Sequence, residues 1–326
     1  MANCHDLFVE FDSSQIQLTK DRRKKLLASR DSLNERIKTY YKENKLDDVE
    51  LTCVEQGSFV TDVIVNPIPV EERGETKLKY DLDYGVYFVG NQNATERKSI
   101  ETYHDLIYEA VKDQTGQVVR KNTCLRVVYS DGHHIDLPIY YKQGTIPELA
   151  HKKDGWIQSD PVGFVNWFNE IAKINPQLKR LVRYMKAWCD NKTSSTKMPS
   201  GLIVTILTSN NAKYNTRDDI AMRDTLEAIS AYFKSVGVRC ERPTTPIGED
   251  LFHDYSQTEK DYFVEQLDNL IISAKQAIEE PNQKDACLKW QKHFGDRFPC
   301  HLAKDEVEGA KVYSAPAIIT SDAKSA

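Results

Sequence analysis

The sequence predicts an α+β chain in which a mixed sheet lobe is followed by a helical lobe. Three observations carry this. Short runs with period-two alternation cluster before residue 143, apolar residues at helical spacing dominate after about His151, and two aspartates one residue apart sit within one of the strand patterns.

Along the chain, Leu26, Leu27, Leu33, Ile37, Tyr40 and Tyr41 recur at helical spacing with Lys, Arg and Glu between them. Thr19 is placed to cap the first turn, which predicts a long helix from Lys20 to about Asn44. Five β-type runs follow, over residues 48–56, 62–70, 77–89, 124–130 and 133–142. Between the third and fourth, residues 95–114 read as a helix with Ile100, Tyr103, Leu106, Ile107 and Val111 inward. Asp131-Gly132 between two alternating runs signals a hairpin closed by a tight primed turn. Beyond His151 five helical patterns, over 161–174, 175–191, 200–212, 224–236 and 262–280, are separated by Pro, Asn, Asp and Gly. The resulting division is a sheet lobe over 1–150 that includes the long helix, a helical lobe over 151–308, and a loose tail over 309–326.

The chain has 326 residues, 40% hydrophobic and 29% charged, enough to bury a substantial core. A formal net charge of -5 disfavours a protein built to coat nucleic acid, because phosphate neutralisation supplies most non-specific affinity. No apolar run approaches the span of a bilayer, and no basic stretch precedes an apolar one at the N-terminus, so neither a membrane span nor export is expected. Seven scattered cysteines, odd in number, predict free thiols in a reducing cytoplasm rather than a disulfide framework. Cys287, His293, Cys300 and His301 lie close in sequence. Without paired short spacings they read as buried thiols and surface imidazoles rather than zinc ligands.

The chemistry is concentrated in the third strand run. Leu78, Tyr80, Leu82, Tyr84, Val86 and Phe88 alternate with Lys79, Asp81, Asp83 and Gly85, so both carboxylates share one face, about 7 Å apart at Cα. In the last run Asp136 projects opposite Ile135, Leu137 and Ile139. If the two strands are neighbours, three carboxylates converge, an arrangement suited to two hard cations and a phosphate substrate. Upstream, Gly57-Ser58 can offer backbone N–H groups and a hydroxyl to phosphate oxygens, with glycine permitting close approach.

With Gly57-Ser58, Asp81, Asp83 and Asp136 in this order, the sequence resembles the DNA-polymerase-β-like nucleotidyltransferases, and more closely the bacterial cGAS/DncV-like nucleotidyltransferases (CD-NTases). The basic helix ending at Trp188, the Ser200-Gly201 helix start, and Trp290, Lys292 and Phe294 to Pro299 are similar to the DncV-like branch. The resemblance implies a polymerase-β-like sheet lobe packed on a C-terminal helical lobe, with the active site in the cleft between them. It implies that Asp81, Asp83 and Asp136 hold two Mg²⁺ ions, or Mn²⁺, and that Gln56 and Ser58 touch the nucleotide. Lys186 would bind the triphosphate, Ser200 would add a hydroxyl, and Arg126 would reach the acceptor nucleotide. It further implies joining of ATP with GTP into a cyclic GMP-AMP-like product that signals to an effector in anti-phage defence. A ubiquitin-transfer-like partner acting on the tail ending at Ala326 is a further expectation. The acidic charge and the lack of an inserted zinc thumb near Lys186 imply no obligatory nucleic-acid partner. Two other readings stay open: a linear oligoadenylate polymerase or nucleotide-transferring antitoxin of the same superfold, and a nucleotide-binding module without turnover.

Overall fold

The computed structural model describes residues 1–46, 49–72, 74–90, 97–114, 117–193 and 196–305, so the expected tail and its last residue lie outside the described residues. The expected long helix is α2 (Lys20–Glu43), which follows a short α1 (His5–Glu10) and a π-helical turn (Phe11–Ile16). Thr19 Oγ1 accepts the Arg22 N–H at 3.3 Å, satisfying one of the unpaired donors of the first turn. Leu26, Leu33, Ile37 and Tyr41 form the buried stripe.

The chain then builds β1 (Val49–Gln56), a four-residue α3 (Gly57–Val60), β2 (Val70–Glu72), β3 (Glu75–Lys77), β4 (Asp81–Gly90), α4 (Ile100–Val111), β5 (Gln117–Arg120), β6 (Cys124–Val128) and β7 (His134–Lys142). Strands β8 (Glu148–His151) and β9 (Gly155–Gln158) complete the sheet lobe. The main sheet runs β1-β4-β7-β6-β5, with β8 taking over pairing on β7 where β6 ends, and β9 beyond it. Strands β4 and β7 are parallel; the other pairs are antiparallel. One face of β4 and β7, with Leu82, Val86, Phe88, Ile135, Leu137 and Ile139, is covered by α2 and α4 in a continuous core. The other face is left for the cleft.

The helical lobe consists of α5 (Pro161–Ile174), α6 (Gln177–Lys192), α7 (Gly201–Asn211), α8 (Asp218–Val236), α9 (Gln257–Glu279), α10 (Gln283–Phe294) and a 3₁₀ turn (Cys300–Leu302). No described helix is long and apolar enough to cross a membrane.

Several expectations are corrected. Residues 62–70 are not a strand of the main sheet: Val65 makes an isolated bridge to Gln17, and β2 pairs only with β3 in a separate ribbon. Two prolines, Pro67 and Pro69, remove the N–H groups that a longer ladder would need. The sheet extends past 151 through β9, and α10 lies outside the five expected helical patterns. The hairpin between β6 and β7 is real, but its turn is not a primed two-residue one. Gly132 N–H donates to the Tyr129 carbonyl at 3.0 Å, and Gly132 alone takes the left-handed conformation, at φ +96°, giving a three-residue loop. Residues 2–16 pack with the helical lobe: Ala2, Cys4, Leu7, Phe8, Phe11 and Ile16 belong to its core. Phe8 sits 5.0 Å from Tyr184, 4.9 Å from Trp290 and 5.0 Å from Phe298 between ring centroids.

Cys287 and Cys300 form a disulfide, against the expectation of free thiols throughout; the helix and the reversal at Gly295 bring them together despite thirteen residues of separation. The pairing also uses the two sulfurs considered for zinc, and His293 Nε2 is taken up by Ser273 Oγ at 2.8 Å.

Candidate active site

The cleft between the lobes encloses about 560 Å³. Its floor is the uncovered face of β4 and β7. Their parallel register sets Asp81 beside His134 and Asp83 beside Asp136, so the three expected carboxylates share one face of neighbouring strands, while the ligand atoms that come within 4.8 Å of one another are those of Asp81, His134 and Asp136, not Asp83. On the other flank β1 runs antiparallel to β4 and delivers Gln56 next to Asp83. The chain then reverses at Gly57, whose φ of +72° is left-handed; any Cβ there would drive into Asp83 Oδ2. Gly57 and Ser58 therefore open α3 directly against the aspartates, and both line the cleft.

Gln56 is buried, and its amide is engaged at both ends. Nε2 donates to Tyr140 Oη at 3.1 Å, and Oε1 accepts from Tyr87 Oη at 3.1 Å. The two tyrosine rings, opposite each other in the β4–β7 register, stack at 4.6 Å. Arg126 does not line the cleft; it forks Asp136, with Nε at 2.7 Å and Nη2 at 2.6 Å, and Lys121 Nζ adds a second cation at 3.6 Å. Ser200 is an exposed cap of α7 that accepts from Ile203 N–H at 3.4 Å; its neighbour Gly201 lines the cleft. Lys186, on α6, is buried beside Gly201 and faces the aspartates from the helical lobe.

Charge placement follows from this crowding. Burial, then the Asp81 and Asp136 carboxylates, push the Asp83 carboxyl up to about 8. Burial would also raise Asp81, but His134, Arg126 and Lys186 outweigh it and hold that carboxyl below its ordinary value. Burial pushes the Lys186 ammonium down to about 8, opposed by Asp190, Asp81 and Asp83. The Asp81 side chain keeps 41% of its accessible surface although protein surrounds it, because that surface faces into the cleft.

This donor set fits a divalent cation. One ligand atom from each of Asp81, His134 and Asp136 lies within 4.8 Å of the others. His134 Nε2 is buried with no hydrogen-bond partner and stands 3.6 Å from Asp81 Oδ2, the position of a group awaiting a ligand. Carboxylate oxygens suit hard ions such as Mg²⁺ or Mn²⁺.

Sequence reasoning missed His134, Tyr140, Thr205, Phe164 and Arg242, of which all but His134 line the cleft. His134 was findable, since it shares the strand face of Asp136 two residues on. Phe164, Thr205 and Arg242 come from separate elements of the helical lobe, and no periodicity in the chain joins them to the aspartates.

Residues 52–140 match the family model described as cyclic GMP-AMP synthase DncV-like, nucleotidyltransferase domain. A cyclic GMP-AMP synthase from Escherichia albertii is 31% identical over 234 residues, covering 67% of this chain and 51% of that protein. A cyclic AMP-AMP-AMP synthase from Acinetobacter sp. is 23% identical over 286 residues, covering 83% of this chain and 79% of that one. The chain thus spans about half the length of the first relative and most of the second. Among solved structures, the DncV cyclic AMP-GMP synthase of Vibrio cholerae superposes with a TM-score of 0.76 at 19% identity, covering 91% of this chain and 96% of that one. A structure of the same organism's di-nucleotide cyclase in complex with ATP and GTP gives 0.77 at 19% identity, with coverages of 93% and 99%. The structural matches establish a shared fold, the sequence matches a shared descent, and the chain carries a nucleotidyltransferase domain of the DncV-like family.

Proposed function

We propose that this protein is a cyclic oligonucleotide synthase that joins nucleoside triphosphates, ATP with GTP favoured, by two-metal nucleotidyl transfer. The observation that carries the reading is the placement of Asp81, Asp83 and Asp136 on one face of adjacent parallel strands, directly against Gly57-Ser58 and opposite Lys186. Bound divalent ions would lower the pKa of an acceptor hydroxyl and neutralise the leaving pyrophosphate. Asp81, Asp83, Asp136 and His134 would hold them.

The remaining work belongs to the chain. Lys186 and Ser58 bind the triphosphate tail from opposite walls. Gln56, clamped between Tyr87 and Tyr140, presents a fixed surface to the nucleotide, and Ser200 supplies a hydroxyl at the rim. Asp136, its two oxygens engaged by Arg126, is held in one orientation and aligns the acceptor hydroxyl. Arg126 thereby acts on the acceptor side through Asp136. The hydroxyl oxygen attacks the α-phosphorus, the bond to the β-phosphate oxygen breaks, pyrophosphate leaves with the electron pair, and the proton passes to water. A second transfer in the same cleft closes the ring.

Ring closure rather than linear extension is favoured by the sequence relatives, a cyclic GMP-AMP synthase and a cyclic AMP-AMP-AMP synthase. The product would signal to an effector in anti-phage defence in the cytoplasm, where its substrates are. Residues 309–326 would serve as a tail for a ubiquitin-transfer-like partner.

The test incubates the chain with Mg²⁺ or Mn²⁺ and labelled ATP, GTP, CTP and UTP, singly and in pairs, beside Asp81→Ala/Asp83→Ala, followed by phosphatase. A phosphatase-resistant product made only by the intact chain is expected, strongest with ATP plus GTP. Phosphatase-sensitive ladders would replace this reading with a linear polymerase.

A further inference from the structure

We propose that Arg183 is a positioning residue for the nucleotide triphosphate: it ties the helix carrying Lys186 to the backbone carrying Ser58, so that the two phosphate-binding walls of the cleft are set as one unit. This rests on the reading of the cleft as a nucleoside triphosphate site.

Arg183 lies one turn before Lys186 on α6 and does not line the cleft. Its side chain is 5% exposed, and all three guanidinium nitrogens are engaged. Nε and Nη2 donate to the two oxygens of Asp12 at 2.6 and 2.7 Å, and Nη1 donates to the Asp62 carbonyl at 2.6 Å. A guanidinium that only fastened the N-terminal segment would need Asp12 alone. The third nitrogen reaches across to the stretch leaving α3.

That stretch is under constraint. Asp62 is the one non-glycine residue among those described with a left-handed backbone, at φ +58°. Such a conformation persists only where its surroundings over-determine it. Immediately after it, the N–H groups of Val63 and Ile64 both donate to the Ser58 carbonyl, at 3.0 and 3.1 Å. Val63 is buried in a small apolar cluster with Phe168, Leu178 and Val182 of α5 and α6. On the far side the Asp62 carboxylate pairs with Arg23 of α2 at 2.6 Å. The peptide held by Arg183 is thus the joint through which the helical lobe fixes Ser58. The planar fork serves the Asp12 carboxylate with two nitrogens and the Asp62 carbonyl with the third, whereas a lysine would bring all its donors from a single nitrogen.

The test uses Arg183→Lys in the full chain, which keeps a cation for Asp12 and loses the fork to Asp62. Binding of a non-hydrolysable ATP analogue in the presence of Mg²⁺ is measured by calorimetry beside the thermal midpoint. Affinity about tenfold weaker than wild type is expected, as for loss of one hydrogen bond from a charged donor. Ser99→Ala, which removes the N-cap of α4 on the covered face of the sheet, should lower stability and leave that affinity unchanged. Equal affinity in Arg183→Lys and wild type, at any thermal midpoint, overturns the proposal. A wild-type chain that binds no triphosphate overturns the reading of the cleft, and the proposal with it. If Arg183→Lys does not fold, Asp12→Asn keeps an acceptor for the guanidinium while removing its charge, and amide exchange at Val63 and Ile64 is followed. Faster exchange with weaker binding supports the proposal; unchanged binding overturns it.

Discussion

At Asp83, burial and two neighbouring carboxylates hold the pKa at about 8 against an ordinary value of 3.8, so across that interval the folded chain keeps a proton that the unfolded chain has lost. The unfolded state binds fewer protons there, and stability falls as pH rises. Lys186, lowered from 10.5 to about 8, acts in the opposite sense only above that pH. Without divalent ions, the thermal midpoint should therefore fall between about pH 7 and about pH 8, above the range in which buried His293, pushed down to about 4, and His104, also lowered by burial, act in the opposite sense. Saturating Mg²⁺ should remove that slope, and Asp83→Asn should flatten it without metal; a midpoint that rises over the interval would contradict the assignment. Gly57→Ala forces both a left-handed alanine and a clash with Asp83. It should cost about 1–2 kcal/mol by denaturant titration and abolish nucleotidyl transfer. At this scale the three aspartates were legible from strand alternation alone. The Arg126 clamp was not, and the reason is register. A two-residue turn at Asp131-Gly132 would place Val127 opposite Asp136, whereas the three-residue loop slides Arg126 into that position.

Among the elements, the β6–β7 hairpin is fastened to α2 by its own turn. His133 stacks on Tyr129 at 4.3 Å, its Nδ1 meets Asp131, and its Nε2 lies 2.9 Å from Ser29 Oγ. Serine, histidine and aspartate in a chain suggest a hydrolytic triad, but Ser29 sits inside α2, where backbone N–H groups are committed to the helix and none is free to stabilise an oxyanion. The chain is a lock. His133→Ala should destabilise the fold by about 1–3 kcal/mol in chemical denaturation while leaving the affinity of folded protein for nucleotide intact. Thr19→Ala should cost about 1 kcal/mol by the same measure. Helix α2 was readable because its cap and stripe both lie within one segment. Helix α10 has a stripe too, Ala286, Cys287, Trp290 and Phe294, but the same short segment carries Cys and His at near-metal spacing, so its pattern fits two readings. Strand β9 is four residues long, only partly buried and paired with β8 alone, so it carries almost no pattern.

For the whole molecule, the two-lobe architecture was legible from the switch in periodicity, but the allegiance of the first sixteen residues was not, because their partners lie far away in sequence. Phe8→Ala should cost about 3–5 kcal/mol, read as a lowered thermal midpoint, although Phe8 precedes every residue of the sheet lobe. Removing residues 1–16 should leave the helical lobe unable to fold, seen as rapid proteolysis after residue 160 with the sheet lobe spared. The same packing dictates an order of events during synthesis. The Tyr184 hydroxyl closes on the Phe8 carbonyl across 176 residues, and Arg217 on Ala2 across 215. A ribosome would release the aromatic segment long before its receptor exists, while the sheet lobe, whose strands pair over shorter spans, can form in the interval. The last step of folding would then be the capture of the earliest residues by the latest ones. Since Asp12 travels with that segment, the joint at Asp62 would be completed only then, and a nascent chain would hold its aspartates in place well before it could grip a nucleotide.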